Sequence, residues 1–255
     1  MGAAFVTGAG SGIGRATALR LARDGAAVAA FDRDDAAVAA VLKEIDALGG
    51  RGRAYVGDVS IADEVEDAVA RTVAELGKLD AAAACAGIEV AGTVTDMSSA
   101  DWDRAIAINL TGVMLTARYT VAAMVESGGG AFVAISSDAG VQGCIDWTPY
   151  SVSKHGVVGL VRCLALDYGP LGVRSNVVCP SLVKTPMGDR VLDAISAQEQ
   201  GDALRLLPLA RIASPDEIAN VIRHLLSPEA SYTNGLVYMV DGGETAGVFL
   251  GEVPE

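Results

Sequence analysis

Val6-Thr7-Gly8-Ala9-Gly10-Ser11-Gly12-Ile13-Gly14 closes an apolar run that begins at Ala3 and opens directly onto Arg15-Ala16-Thr17-Ala18-Leu19. The order is a strand, a glycine-rich turn and a helix, placed at the first βα junction of the chain. Gly8, Gly12 and Gly14 are the positions where a Cβ would obstruct a ligand, so backbone N–H groups and the helix N-terminus can face a pyrophosphate. Taken alone, such a turn is also an ordinary strand–helix connection; its context singles it out.

The next apolar run ends in Ala30-Phe31-Asp32, with Asp32 eighteen residues beyond Gly14. An acid about 20 residues past the turn accepts hydrogen bonds from the adenosine ribose hydroxyls and repels a 2′-phosphate, which favours NAD over NADP. Asp32 is equally placed to cap the helix that follows, and Arg33 beside it has the charge to accept a phosphate. Ser11, where a basic side chain would also help NADP, is neutral.

Beyond these two junctions, short apolar runs keep alternating with longer amphipathic stretches. Strands are expected at 3–7, 27–31, 53–56, 81–84, 130–135, 172–178 and 236–240, and helices at 12–24, 34–48, 61–76, 99–126, 149–168 and 214–226. Ser99 and Ser214 are the expected start signals of their helices, the latter followed by Pro215, Asp216 and Glu217. Such alternation predicts an α/β fold: one doubly wound parallel sheet of Rossmann type with helices on both faces. No linker, repeat or low-complexity tract divides residues 1–255, so a single domain is expected. Residues 184–208 break the rhythm with Thr, Pro, Met, Gly and a polar run, and are expected to form a substrate lid rather than a plain surface loop.

Composition narrows the function classes. Hydrophobic residues make up 51% and charged residues 20% of the 255, enough to bury a large core. A net charge of −13 argues against nucleic acid, because phosphate binding needs a surplus of Lys and Arg. The start of the sequence lacks the pattern of a signal peptide, and no unbroken apolar run reaches the ~18 residues of a membrane span. A cytoplasmic protein with no membrane partner is therefore expected. Cys85, Cys144, Cys163 and Cys179 match no metal-binding spacing, so free thiols and no metal are expected.

The chemistry points to Trp147-Thr148-Pro149-Tyr150-Ser151-Val152-Ser153-Lys154-His155-Gly156. Tyr150 and Lys154 are four apart and share a helix face. A phenol, with an unperturbed pKa of about 10, is a poor base at neutral pH. A nearby ammonium, aided by a positively charged nicotinamide, would lower that value and let Tyr150 act as general acid or base. The spacing alone is common by chance. Here Ser137 lies thirteen residues upstream, at the end of the strand predicted at 130–135, where open parallel sheets bind ligands. Asn109 sits inside an apolar helical stretch, as a satisfied core amide or as a link in a proton relay.

Together these residues make the chain resemble the short-chain dehydrogenase/reductase family over nearly its whole length. Thr7-Gly8-x-x-x-Gly12-x-Gly14 resembles the family's cofactor turn, and Asp58-Val59 its adenine-contacting pair. Asn109, Ser137, Tyr150 and Lys154 match its catalytic tetrad. Pro180 and Thr185 resemble the segment that holds the nicotinamide carboxamide, and Val240-Asp241-Gly242-Gly243 its closing strand. The resemblance implies NAD contacts from Ser11, Ile13, Ala86, Gly87 and Val183 in addition to those already named. It also implies a homotetramer assembled through the helices at 99–126 and 149–168 and the terminal strand, with Leu160, Leu164 and Leu166 offering an apolar face. Two departures stand out. Ala84-Cys85-Ala86-Gly87 replaces the usual Asn-Asn-Ala-Gly, and Pro180-Ser181 replaces Pro-Gly.

The implied function is hydride transfer between NAD and a small or medium secondary alcohol or ketone. Ser137, Cys144, Trp147, Tyr150 and Met187 are the expected substrate contacts, with Val141, Gln142 and Ser181 as further wall candidates. His155 and His224 are expected to be structural or exposed. A 3-oxoacyl-thioester reductase is the rival enzyme reading, disfavoured because an acidic chain is a poor match for an acidic carrier protein. A non-catalytic NAD-binding sensor or structural protein is the rival of another class.

Overall fold

The computed structural model describes residues 2–205 and 207–248. Seven strands form one sheet in the order β3-β2-β1-β4-β5-β6-β7: β1 Ala3–Thr7, β2 Ala27–Asp32, β3 Arg51–Val56, β4 Leu79–Ala84, β5 Gly130–Ile135, β6 Val173–Pro180 and β7 Val237–Val240. Every neighbouring pair runs parallel, which requires the helical crossovers that the alternating sequence predicts. The chain builds outward from β1 to β3, then returns to the far side of β1 to place β4. The order therefore reverses between β1 and β4, and a crevice opens above their C-terminal ends.

Alternation along the strands feeds two cores. Ala3 and Phe5 of β1 join the cluster on one face, with Phe31, Phe132, Val69, Val121 and Val161. Ala4 and Val6 join the other, with Val28, Val133, Leu21, Ile45 and Ile222. All five β1 residues are buried, as a strand covered by helices on both faces must be. The first face is covered by α3 (Ala62–Leu76), α5 (Gly112–Glu126) and α6 (Thr148–Tyr168), the second by α1 (Gly12–Arg23), α2 (Asp35–Ala47) and α9 (Pro215–Leu226). Each fully buried Phe, Leu or Val contributes about 1.5–3 kcal/mol of burial free energy.

Some local details depart from or add to the sequence expectation. The helix expected at 99–126 is interrupted: α4 (Ser99–Ile106) passes through a π-helical turn, Ala107–Thr111, into α5. Its cap is Ser98, whose hydroxyl accepts from the Asp101 N–H at 3.0 Å, one residue before the expected Ser99. The sequence has no unbroken apolar run of spanning length, yet the combined helix Ser99–Glu126 is long and apolar enough to cross a membrane. Half of its most apolar window is packed inside the protein. Finally, the stretch expected as a lid forms two helices, α7 (Pro186–Asp193) and α8 (Ala197–Arg205); of that stretch, Leu206 lies outside the described residues. The start of α9 follows expectation, with Ser214 and Glu217 forming a reciprocal capping box.

Candidate active site

A cleft of about 790 Å³ lies at the sheet edge where the strand order reverses. Its floor is the glycine turn. Gly8 and Gly12 have positive φ, 64° and 50°, and a Cβ on Gly14 would stand 2.0 Å from the Gly8 carbonyl oxygen. Glycine is thus required by the backbone path itself. Ser11 begins α1 without a side-chain capping bond, which leaves the first-turn N–H groups available to a ligand anion. Ser11, Gly12, Ile13 and Gly14 all line the cleft. Thr185 reaches over from the far side, its methyl 3.0 Å from where a Gly12 Cβ would sit. A bare helix N-terminus under an obstruction-free backbone fits a dinucleotide pyrophosphate.

Asp32 ends β2 at one end of the cleft. One carboxylate oxygen accepts from the Gly10 N–H at 2.9 Å and the other from the Asp34 N–H at 3.1 Å. Of the two roles expected for Asp32, the helix cap falls to Asp34 instead, which accepts from the Ala37 N–H at 3.0 Å. Gly10 was not singled out in the sequence; a Cβ there would lie 3.0 Å from the Asp32 carboxylate. Arg33 also lines the cleft, flanked by these two acids. Asp58 and Val59 border the same end. Asp58 holds Ser60 through its N–H and hydroxyl at 2.8 and 2.7 Å, and Val59 packs on Gly112 at the start of α5.

The Ala84-Cys85 departure leaves its support to the backbone. The Thr7 hydroxyl accepts from the N–H groups of Cys85 at 3.1 Å and Ala86 at 3.3 Å, clamping the end of β4 to β1. The Cys85 thiol is pushed up to about 12 by burial, with the Thr17 hydroxyl opposing, so it is inert. Gly87 leaves room for Asn109 and Lys154 to approach: a Cβ would be 3.2 Å from the Asn109 carbonyl oxygen and 3.5 Å from the Lys154 ammonium.

Asn109 sits in the π-helical turn and is fully buried. Its Oδ1 accepts from the Ile88 N–H at 2.8 Å, and its Nδ2 donates to the Ile88 carbonyl at 3.0 Å and to Ser153 Oγ at 3.2 Å. Both amide hydrogens are therefore spent on protein. The satisfied-amide reading describes this side chain, and its N–H groups have no capacity left for a water relay.

Ser137, Tyr150 and Lys154 converge as expected. Ser137 closes β5, while Tyr150 and Lys154 share one face of α6. The helix is pinned to the strand by Ser136, whose hydroxyl donates to the Lys154 carbonyl at 2.9 Å. Lys154 Nζ donates to the Ile135 carbonyl at 3.1 Å and lies 5.5 Å from the Tyr150 ring centroid. Burial drives this ammonium down to about 8. Trp147 stacks edge-on against Tyr150 at 5.7 Å and 74°.

The lowering expected of Tyr150 involves a bound nicotinamide as well as Lys154, and the ligand-free site shows where the phenol starts. Burial pushes the Tyr150 phenol up to about 12, opposed by the Ser137 hydroxyl, while Asp138, Cys144 and Glu89 push it further up. Without a ligand the phenol is a protonated acid, because desolvation disfavours the phenolate. The substrate end differs from expectation. Cys144, Trp147, Ser181 and Met187 line the cleft, but Val141 and Gln142 do not. Both follow the short helical turn at Asp138–Gly140 and fall outside the wall. Their places are taken by residues the sequence did not mark: Asp138, Glu89, Arg190 and Glu244. The Ser137 hydroxyl donates to Asp138 at 2.6 Å, and Ser181 donates to Glu244. Arg190 of α7 pairs with Glu89 across the mouth, Nη2 to Oε2 at 3.1 Å. Two of these pairs join distant segments with no local spacing that betrays them: Ser181 and Glu244 are 63 residues apart, Glu89 and Arg190 101.

Pro180, Val183, Thr185, Ala86 and Gly87 all border the cleft, as the resemblance implied. His155 bonds the Ser151 carbonyl at 2.9 Å and His224 lies beside Glu229 on the surface, both away from the chemistry.

Comparison with known proteins matches the chain to a family. The family described as enoyl-(acyl carrier protein) reductase matches residues 8–245. Cyclohexanol dehydrogenase of Acinetobacter sp. (strain SE19) is 39% identical over 95% of this chain and 94% of its own. The 3-oxoacyl-(acyl-carrier-protein) reductase of Thermotoga maritima is 36% identical over 94% of this chain and 96% of its own. Among solved structures, a variant of actinorhodin polyketide ketoreductase with NADPH superposes with a TM-score of 0.91 at 33% identity, covering 95% of this chain and 97% of that one.

Proposed function

The chain belongs to the short-chain dehydrogenase/reductase family, oxidoreductases that act on CH–OH and C=O groups with a nicotinamide cofactor, and on that premise we propose that it interconverts a small or medium secondary alcohol and its ketone with NAD. The observation that carries this reading is the convergence of Ser137, Tyr150 and Lys154 at one end of a cleft whose other end is closed by Asp32.

When bound, the nicotinamide supplies or accepts the hydride. Ser137 orients the substrate oxygen by hydrogen bonding. Tyr150, protonated in the free protein, gives its phenolic proton to that oxygen in reduction and takes one from it in oxidation. Lys154 lies under the ring and stabilises the phenolate that results. Asn109 acts as a positioning residue, tying Ile88 in the loop after β4 to α6 through Ser153. Asp32 favours NAD because a fixed carboxylate accepts from a diol and repels a phosphate, even beside Arg33. The ketoreductase carrying NADPH sets the opposing case, and the Asp32 carboxylate is what supports NAD here.

The relative named as a 3-oxoacyl-thioester reductase supports a second reading. Against it stands the cleft mouth, where the basic Arg190 is already neutralised by Glu89. We further propose a cytoplasmic homotetramer. Leu166 on α6 is 77% exposed and offers a contact, whereas Leu164, expected on the same face, is 8% exposed and belongs to the core.

NADH absorbance with matched panels of secondary ketones and 3-oxoacyl thioesters tests the function. Turnover of ketones well above thioesters is expected, with NADH bound at least tenfold more tightly than NADPH, a gap of about 1.4 kcal/mol. Thioesters turned over best would establish the second reading, and equal affinities would mean that Arg33 prevails. A monomer-sized species in sedimentation would remove the tetramer.

A further inference from the structure

The Pro-Gly to Pro-Ser departure at Ser181 has a partner. Its hydroxyl donates to Oε2 of Glu244, a residue 63 positions later that comes down from the segment after β7. Both line the substrate end of the cleft with Cys144, Trp147 and Tyr150. Glu244 is half-buried, and burial raises its pKa with Ser181 opposing. Among the described residues, no Lys or Arg pairs with it and none donates a hydrogen bond to its Oε1. Asp138 faces the same space, close enough to act on Tyr150, Cys144 and Glu244.

A carboxylate can only accept hydrogen bonds, so the group it receives must donate. The cations nearby cannot invert this preference: Arg190 is paired with Glu89, and Lys154 is bonded to the Ile135 carbonyl under Tyr150. Lys154 nevertheless places positive charge on the reacting side, which disfavours a cationic substrate.

We propose that Glu244, held by Ser181, is a specificity-determining residue: the cleft takes an uncharged alcohol or ketone bearing a second hydroxyl, which donates to Glu244, and rejects one bearing a carboxylate. This rests on the oxidoreductase reading above and names the substrate class within it.

The test compares kcat/KM for sec-butanol, vicinal butanediol, β-hydroxybutyrate and the vicinal amino alcohol of the same skeleton, in wild type, Glu244→Gln and Glu244→Leu. Sites built to bond a hydroxyl discriminate strongly against its absence, so wild type should prefer the diol to the mono-alcohol by about tenfold or more. Glu244→Leu should bring that ratio to within about threefold, because the acceptor is gone. Glu244→Gln keeps an acceptor but not the charge. It should retain a diol preference while raising activity on the hydroxy acid about tenfold relative to the diol. Should both variants lower all four substrates in proportion, Glu244 is only an anchor for its loop and the proposal fails. It fails equally if the mono-alcohol, the acid or the amino alcohol is preferred by wild type. Turnover of none of the four, nor of any ketone in the panel above, would instead overturn the oxidoreductase reading itself.

Discussion

On the β1–β3 side of the cleft the ligand-facing groups are mostly backbone: the turn from Gly8 to Gly14, the open first turn of α1, and one carboxylate held by two N–H groups. On the β5–β7 side they are side chains, namely a phenol, an ammonium, hydroxyls and carboxylates carried to one place by β5, α6, β6 and the segment after β7. The first side is set by what the chain must leave out, since a Cβ at Gly8 or Gly14 collides with neighbouring backbone. The second is set by what is put in, and its electrostatics come from burial. The contrast predicts different sensitivities. Removing one functional atom should cost most on the side-chain half, and adding one methyl at Gly8 or Gly14 should cost most on the backbone half.

Tyr150→Phe gives the largest expected effect. It keeps the ring against Trp147 and deletes the exchangeable proton, so turnover should fall by about 10²–10⁴-fold. Fluorescence titration should show NADH affinity little changed. Retention of more than about a tenth of turnover, with chemistry rate-limiting, would falsify the assignment of the proton to this residue.

Gly14→Ala comes next. A Cβ placed 2.0 Å from the Gly8 oxygen must displace the turn, at a cost of about 3 kcal/mol or more in folding free energy or the equivalent in NADH affinity. Gly143→Ala is the control on the substrate side. Nothing lies within 4 Å of its Cβ position, and thermal unfolding should move by no more than about 0.5 kcal/mol. Equal tolerance at both positions would dissolve the contrast.

Lys154→Met separates stability from activity. The folded-state value is lowered from 10.5 to about 8, so the buried ammonium opposes folding below pH 8. That penalty fades as pH rises from about 8 to 10.5, where only the unfolded chain keeps the proton. The variant should therefore equal or exceed wild type in ligand-free stability near neutral pH, by at most ~3 kcal/mol. Its advantage should shrink across that window in denaturant titrations, although turnover and NADH affinity both drop. A variant less stable at every pH would show that the Ile135 bond outweighs desolvation.

Arg190→Gln should do least. Its partner Glu89 sits at the rim, and exposed ion pairs contribute about 0.2–1 kcal/mol. Unfolding should barely shift, and KM should change by less than about fivefold; a larger change would make the pair part of the substrate contact.

The same contrast explains what was legible. The glycine turn, Asp32 and the Tyr150–Lys154 spacing are local, so their geometry follows from strand, turn and helix periods. All seven strands were found, with ends displaced by a residue or two where the apolar pattern fades, as at Arg51 and Pro180. Ser137 needed the sheet edge, one step further. Asp138 stood beside it unmarked, because its importance comes from facing Glu244. The Ser181–Glu244 and Glu89–Arg190 pairs join segments 63 and 101 residues apart, and no period connects them. Nor did the sequence show that burial would lift Tyr150, since desolvation depends on everything packed around the ring.

The turn at Ala107–Thr111 carries a different kind of consequence. A π-helical turn accommodates one residue more than the α-helix it interrupts, so it keeps the phase between the two halves of a long rod. Each α-helical residue advances the winding by about 100°. Deleting a single residue there would let the rod wind as plain α-helix, with α4 and α5 keeping nearly the same relative phase while the residues of the turn itself shift around the axis. Asn109 would swing off Ile88 and Ser153 with no change in its chemical identity. Such a deletion should keep the helical circular-dichroism signal yet abolish turnover, whereas Leu110→Met, which keeps the turn, should leave both near wild type.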